Sequence, residues 1–279
     1  LDAGVIHAAL PPRAAHSHKG TYGDVAILGG ATGMTGAALL AGRAALLLGA
    51  GRTFVGFLDP GAPTVDMLQP ELMLRTAVEL IAIASPSVLV AGPGLGRSEP
   101  ARNVLAQAIA RVLPLVLDAD ALNLIASESG LAAAVARRNV PTVMTPHPAE
   151  AGRLLGVATV EIQRDRVASA RRIAERFNAF VVLKGAGSIC AAPSGEWFVN
   201  TSGNAGMASA GMGDVLTGIV AAFIAQGASP MLALAAGVHL HGLAGDRLRT
   251  AHGGPVGMTA SEIVAAARAV LNETIYPAG

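Results

Sequence analysis

The stretch DVAILGGATGMTGAALLAGRAALLLGAGRTFVGFLD, residues 24–59, decides the fold. Residues 24–30 form a short apolar run that ends in two glycines, which is how a buried strand reads. Residues 35–51 carry small and apolar side chains at the spacing of a packed helix, closed by Gly49 and Gly51. A second apolar run, 52–59, reads as another strand. Strand, glycine loop, helix and strand in that order is the unit from which parallel sheets are built.

The same alternation continues outward. A strand at 87–96 runs into a Gly-Pro loop, and a helix covers 99–112. The strand at 114–123 carries Asp118 and Asp120 at its end. At 142–156 a short strand, a Pro-bracketed turn and a helix follow, then a charged helix at 160–177. Three short strands are predicted at 179–185, 188–193 and 196–200, and helices at 213–227, 230–248 and 259–271. The expectation is an α/β fold, a mostly parallel central sheet with helices on both faces. Residues 1–16 are expected to be an irregular arm and 17–275 a single domain. In such sheets ligands bind beyond the C-terminal strand ends.

Composition narrows the function. Of 279 residues, 52% are apolar and 14% charged, so the chain folds and is not disordered. A net charge of +1 without a Lys/Arg run excludes a nucleic-acid stripe or a polybasic membrane patch. The most apolar windows, 36–50 and 215–225, fall short of the roughly 20 residues of a membrane span. Cys190 is the sole cysteine, which rules out an intrachain disulfide and a Cys-based zinc site and suits a reducing compartment, the cytoplasm. The N-terminus lacks the charged start and apolar core of a signal peptide. Leu1 is not a methionine, which leaves room for an upstream domain. There are only two lysines, Lys19 and Lys184, each beside a glycine in a motif-like segment. Replacement of surface Lys by Arg explains the scarcity but not the places of the two survivors.

Chemistry concentrates in NTSGNAGMASAGMGDVLTGIVAAF, residues 200–223. Gly203, Gly206, Gly211 and Gly213 lead into an apolar helix. Such a turn exposes backbone N–H groups at the positive end of the helix, which suits a phosphate. Asp214 at the helix start could serve only as a cap. The long Gly-, Ser- and Asn-rich approach exceeds what a cap requires, and an Asp beside an anion hole can take a hydroxyl proton during phosphoryl transfer. The helix dipole is expected to keep its carboxylate ionised at neutral pH.

The GMGD segment resembles the G-x-G-D signature of ribokinase-like kinases. The whole string is closer still to one branch, the ADP- or ATP-dependent NAD(P)H-hydrate dehydratases. HKGTYGDVAILGGATGMTGAALLAGRAAL, VAGPGLG, LDADALNLIA, TPHPAEAGRLLG and VVLKGAGSIC are similar to the same branch in the same order, from about residue 17 to 270. The resemblance implies repair of NADH or NADPH whose nicotinamide ring has been hydrated. The added hydroxyl is phosphorylated by ADP or ATP with Mg2+, and phosphate is then eliminated. It implies Asp214 as catalytic acid/base and substrate contact, and Gly213 in the anion hole. Lys184, Gly185, Ala186, Gly187 and Ser188 are implied as the nucleotide loop. Ala37, Gly94 and His147 are implied as contacts to the hydrated dinucleotide, and Glu150 as the acid related to magnesium, through water. A homo-oligomer is implied, and a fused or separate epimerase. Met212 departs from the family's usual small residue, but only its N–H is needed there.

The same residues bear on other readings. A dinucleotide dehydrogenase lacks its G-x-G-x-x-G, and neither lysine lies in a P-loop. A vitamin or sugar kinase of the same fold shares G-x-G-D but is not expected to carry NTSGN, GPGLG and DADALN together. Against a regulator without turnover stands Asp214. His239 and His241, two apart, cannot share one helix face and read as core or subunit contacts. Asp120 reads either as a helix cap or as a ligand contact, and Asn123 as facing the nucleotide or substrate. His16, His18 and Lys19 are either a pyrophosphate contact or a solvated arm.

Overall fold

After Asp24 every residue of the first strand is buried, because both faces of the sheet are covered. The computed structural model describes residues 1–2, 4–83 and 85–277. Its strands are β1 (Asp24–Gly29), β2 (Arg52–Phe57), β3 (Met73–Thr76), β4 (Val88–Ala91), β5 (Leu115–Leu117), β6 (Thr142–Met144), β7 (Phe180–Leu183), β8 (Ile189–Ala191) and β9 (Trp197–Val199). They form one sheet in the order β3-β2-β1-β4-β5-β6-β7-β8-β9. β1 to β7 pair in parallel, and β8 and β9 turn back antiparallel. The mostly parallel sheet with helices on both faces is thus as expected.

Strand periodicity divides the core. Val25, Ile27, Val90, Val116, Val143 and Val182 point to one face, against the helices Thr35–Leu47, Met212–Ala225, Pro230–Ala251 and Ala260–Ile275. Ala26, Leu28, Leu89, Leu115, Leu117 and Leu183 point to the other, against Glu99–Ala110, Ala119–Ser127, Pro148–Leu155 and Arg166–Phe177. The strand order reverses between β1, which neighbours β2, and β4. Such a reversal is where sheets of this class place a ligand, beyond the C-terminal ends of β1 and β4.

Several expectations need correction. The arm at 1–16 is not wholly irregular: Gly4–Ala9 is helical, and Ile6, Ala9 and Leu10, spaced along one helix face, are buried in the core. β3 and the helix Ala77–Ile83 were not predicted. The strand at 114–123 ends at Leu117, and a helix begins at Ala119, whose φ of 48° makes the bend. The charged helix at 160–177 is two helices, because Asp165 leaves helical geometry to cap the second, accepting from the N–H of Ala168 at 2.9 Å.

Candidate functional site

β7 ends at Leu183, and the chain turns through Lys184–Ser188 into β8. Gly185 (φ 144°) and Gly187 (φ 65°) take conformations that other residues rarely adopt. The Ser188 hydroxyl closes the turn on the Gly185 carbonyl at 2.9 Å. Facing it runs the glycine approach. Asp246 braces it, accepting from the Gly203 N–H at 2.8 Å and the Asn204 amide at 3.0 Å. Gly211, left-handed at φ 85°, starts the helix Met212–Ala225. Together the two segments line a cleft of about 880 Å³, with His147, Val238 and His241 on its walls. That is room for a nucleotide-sized ligand. The structure therefore brings Lys184, Gly185, Ala186, Gly187, Ser188, Gly213 and His147 to one cavity.

A charged centre lies at the inner end. Lys184 Nζ donates to Asp118 Oδ1 at 2.9 Å, and the Thr217 hydroxyl donates to Oδ2 at 2.9 Å. Burial alone would raise the pKa of Asp118. Lys184 and the hydroxyls of Thr145 and Thr217 outweigh it and hold the carboxyl below its ordinary range. Burial would likewise lower Lys184, but Asp118, Glu150 and Asp214 outweigh that and keep it charged. Asp214 behaves oppositely. Burial and then the Asp118 charge, against the pull of Lys184, push it up to about 7. The helix dipole favours the ionised form, but desolvation and the neighbouring carboxylates oppose it and leave the carboxyl about half ionised at neutral pH.

His147 and Glu150 form a capping box at the start of Pro148–Leu155. His147 Nδ1 accepts from the N–H of Ala149 (3.1 Å) and Glu150 (3.4 Å), and Glu150 accepts from the His147 N–H at 2.8 Å. Burial first, then the charges of Lys184 and Arg153, lower the His147 pKa, so the ring is neutral. Its Nε2, 3.3 Å from Glu150 Oε1, is then the protonated nitrogen. Burial drives Glu150 up to about 7. Among the described residues no group of three His, Cys, Asp or Glu could hold a metal ion.

Ala37 and Gly94 do not line this cleft and lie where the loops after β1 and β4 meet. The N–H groups of Gly30 and Ala31 donate to the carbonyls of Pro93 (3.0 Å) and Gly94 (2.6 Å). A Cβ on Gly94 would strike the Met34 carbonyl and lie 3.3 Å from the Ala37 Cβ. Asp120 fixes the same loop, accepting from the Gly96 N–H at 2.9 Å. Asp214 follows Gly213 of the cleft wall and feels the charges of Asp118, Lys184, Asp120 and Glu150.

Asp118 reads in sequence as a strand-closing acid with a functional contact left open, but its pairing with Lys184, 66 residues away, has no local signal, and neither has the place of His241. His239 is a core residue, its Nδ1 3.2 Å from Asn200 Oδ1, whereas His241 lines the cleft. Asn123 accepts from Arg153 at 2.8 Å. Lys19 sits at the N-terminal ends of β1 and β2, where its carbonyl abuts Gly51, at the opposite end of the sheet from the cleft.

Comparison with known proteins places the chain in a family. The family model for NAD(P)H-hydrate dehydratase matches residues 25–268. The chain is 43% identical to the ADP-dependent (S)-NAD(P)H-hydrate dehydratase of Neisseria meningitidis over 93% of its length and 88% of that protein. It is 39% identical to the bifunctional NAD(P)H-hydrate repair enzyme of Coxiella burnetii, covering 94% of the chain but 53% of the relative, so it spans about half the length of that enzyme. Among solved structures, the ADP/ATP-dependent NAD(P)H-hydrate dehydratase of Bacillus subtilis, co-crystallised with ATP/Mg2+, superimposes with a TM-score of 0.86 at 30% identity, covering 98% of the chain and 97% of its own.

Proposed function

The chain belongs to the NAD(P)H-hydrate dehydratase family, and from that premise we infer that it is a nucleotide-dependent lyase that restores hydrated NADH and NADPH. It has the ribokinase-like fold. The observation that carries the chemistry is Asp214 in the first turn of Met212–Ala225, next to Gly213 in the wall of a nucleotide-sized cleft that also bears Lys184. The experiment is recovery of NADH absorbance from its hydrate with ADP or ATP and magnesium, together with release of inorganic phosphate. No recovery with either nucleotide from folded protein would refute the reading. A kinase of this fold acting on a vitamin or sugar would stop at a stable phosphate ester and release none.

The residues divide the work as follows. Lys184, Gly185, Ala186, Gly187, Ser188 and Gly213 hold the nucleotide, their N–H groups and one ammonium meeting its phosphates. Ala37 and Gly94 hold the hydrated dinucleotide, and His147 meets it from the wall of the nucleotide cleft. Asp214 takes the proton of the ring hydroxyl as its oxygen attacks the terminal phosphorus. The bond from that phosphorus to the nucleotide's bridging oxygen breaks, leaving ADP from ATP or AMP from ADP. The ring C–O bond then breaks, phosphate leaves, and a neighbouring ring carbon gives up a proton to re-form the double bond. A carboxyl group near pH 7 suits such proton transfer.

Magnesium fits this donor set in a limited way. It keeps several waters and binds through one or two carboxylates plus phosphates. The Glu150 carboxyl already accepts from the His147 N–H at 2.8 Å, so it suits a water-mediated contact with an ion held mainly by the nucleotide. When bound, that ion would neutralise phosphate charge. Among the described residues no helix is long and apolar enough to cross a membrane, and a cytoplasmic site of action is part of this proposal. So are a homo-oligomer, for which exposed Met67 and Leu68 suit a subunit contact, and a fused or separate epimerase acting on the same hydrates.

A further inference from the structure

The polar backbone groups of the loop between β7 and β8 are sorted by a residue outside the cleft. Arg166, at the start of the helix Arg166–Phe177, lies behind the loop. Its Nη2 donates to the carbonyls of Leu183 (3.1 Å) and Lys184 (3.3 Å), and its Nη1 to that of Ala186. A Cβ on Gly185 would lie 2.8 Å from Nη2, so the missing side chain there is what lets the guanidinium come so close. Burial lowers the pKa of Arg166, and its Nε is buried without a hydrogen-bond partner. Among the described residues it forms no salt bridge.

A partly desolvated cation without a carboxylate, spent on three carbonyls of one loop, is a poor device for stability alone. Its effect on the cleft is specific. The carbonyl dipoles are drawn back to the guanidinium. The N–H groups of Ala186 and Gly187, both residues of the cleft wall, have no acceptor among the described residues. A run of free N–H groups with its carbonyls withdrawn is an anion-binding concavity.

We propose that Arg166 is a positioning residue for the nucleotide: it withdraws the carbonyls of Leu183, Lys184 and Ala186 so that the polyphosphate meets N–H groups and no opposing oxygen. The proposal rests on the reading of 184–188 as the nucleotide loop. Arg166 itself touches neither substrate.

The test is steady-state kinetics of Arg166→Gln and Arg166→Lys with hydrated NADH and ADP or ATP, alongside calorimetric nucleotide binding and melting curves. For Arg166→Gln, the nucleotide Kd and KM should rise about 10- to 100-fold, as expected when hydrogen bonds from a charged donor are lost. The hydrate KM and the kcat at saturation should stay within about threefold, since uniform binding and not the transition state is affected. Arg166→Lys should recover part of the affinity, because an ammonium can reach some of the carbonyls. An unchanged nucleotide Kd in a folded variant overturns the proposal, as does a rise confined to the hydrate KM. If Arg166→Gln fails to fold, Arg166→Lys carries the same measurement, with an intermediate loss of nucleotide affinity expected and none overturning the idea. Failure of the functional reading shows separately, as absence of turnover in the unaltered protein.

Discussion

Asp214→Asn keeps the shape and the helix-capping capacity of the side chain but cannot accept a proton. A cap would tolerate the change, since Asp and Asn cap almost equally. A base would not, and kcat should fall by about 10²- to 10⁴-fold with nucleotide affinity retained. The raised pKa adds two consequences. In the folded protein the carboxyl holds its proton to about pH 7, against an ordinary 3.8. Its contribution to stability is therefore full below pH 3.8 and is lost as pH rises through 7. Asn carries no such charge, so the variant should melt above the unaltered protein at pH 8 while being nearly inactive. In the unaltered enzyme, kcat/KM should decline below about pH 7 as the base is protonated. A variant that keeps a tenth of its turnover, or melts lower at pH 8, would count against this role.

At the scale of elements, the helix that carries Asp214 is placed by the absence of a side chain. Gly218, one turn beyond Asp214, faces Ala41 and Ala44 of the helix Thr35–Leu47. A Cβ there would strike the Ala41 carbonyl and lie 2.8 Å from the Ala44 Cβ. Propensity alone favours Gly218→Ala by about 1 kcal/mol within a helix. Overpacking two helices in contact costs about 1–3 kcal/mol. The second effect should win, with a lower denaturation midpoint and a loss of turnover as the helix start shifts relative to Lys184. A stabilised variant would show that the two helices can separate freely. The glycines at 185 and 211 do different work, supplying positive-φ backbone conformations in the loop and at the helix entrance.

At the scale of the molecule, one ion pair ties the site together. Asp118 follows β5, Lys184 follows β7, and Thr217 belongs to a helix 99 residues further on than Asp118. The Asp118 side chain is 1% exposed and that of Lys184 19%. Removing one partner of a buried pair costs about 3–5 kcal/mol because the other charge is left unpaired. The low end applies here, since Lys184 opens onto the cleft. Lys184→Met should thus lose both stability and nucleotide affinity. The double variant Lys184→Met/Asp118→Asn should regain much of the stability and none of the affinity. Equal stability of single and double variants, measured by denaturant unfolding, would contradict this coupling.

The sequence by itself determined a mostly parallel sheet with helices on both faces, apart from β3 and the helix Ala77–Ile83, and the glycine approach to Asp214, because these rest on local periodicity and on residues adjacent in the chain. It also marked Lys184–Ser188 as one loop, and through motif resemblance it nominated the residues of the proposed site. Local signals were weaker elsewhere. The turn of helix at Gly4–Ala9 is stabilised by burying Ile6 against distant helices, and the break at Asp165 by a cap that a single charged pattern conceals. Only the tertiary structure decided the chemistry of the carboxyl groups. Asp118 and Asp214 read alike as acids near a strand end or helix start. Folding places one against Lys184 and two hydroxyls, where it stays ionised, and desolvates the other beside that same charge, which lifts it to about 7. Lys19 and Lys184 were equally marked in sequence, yet they lie at opposite ends of the sheet, because the face on which a loop emerges depends on strand direction and not on the residues of the loop.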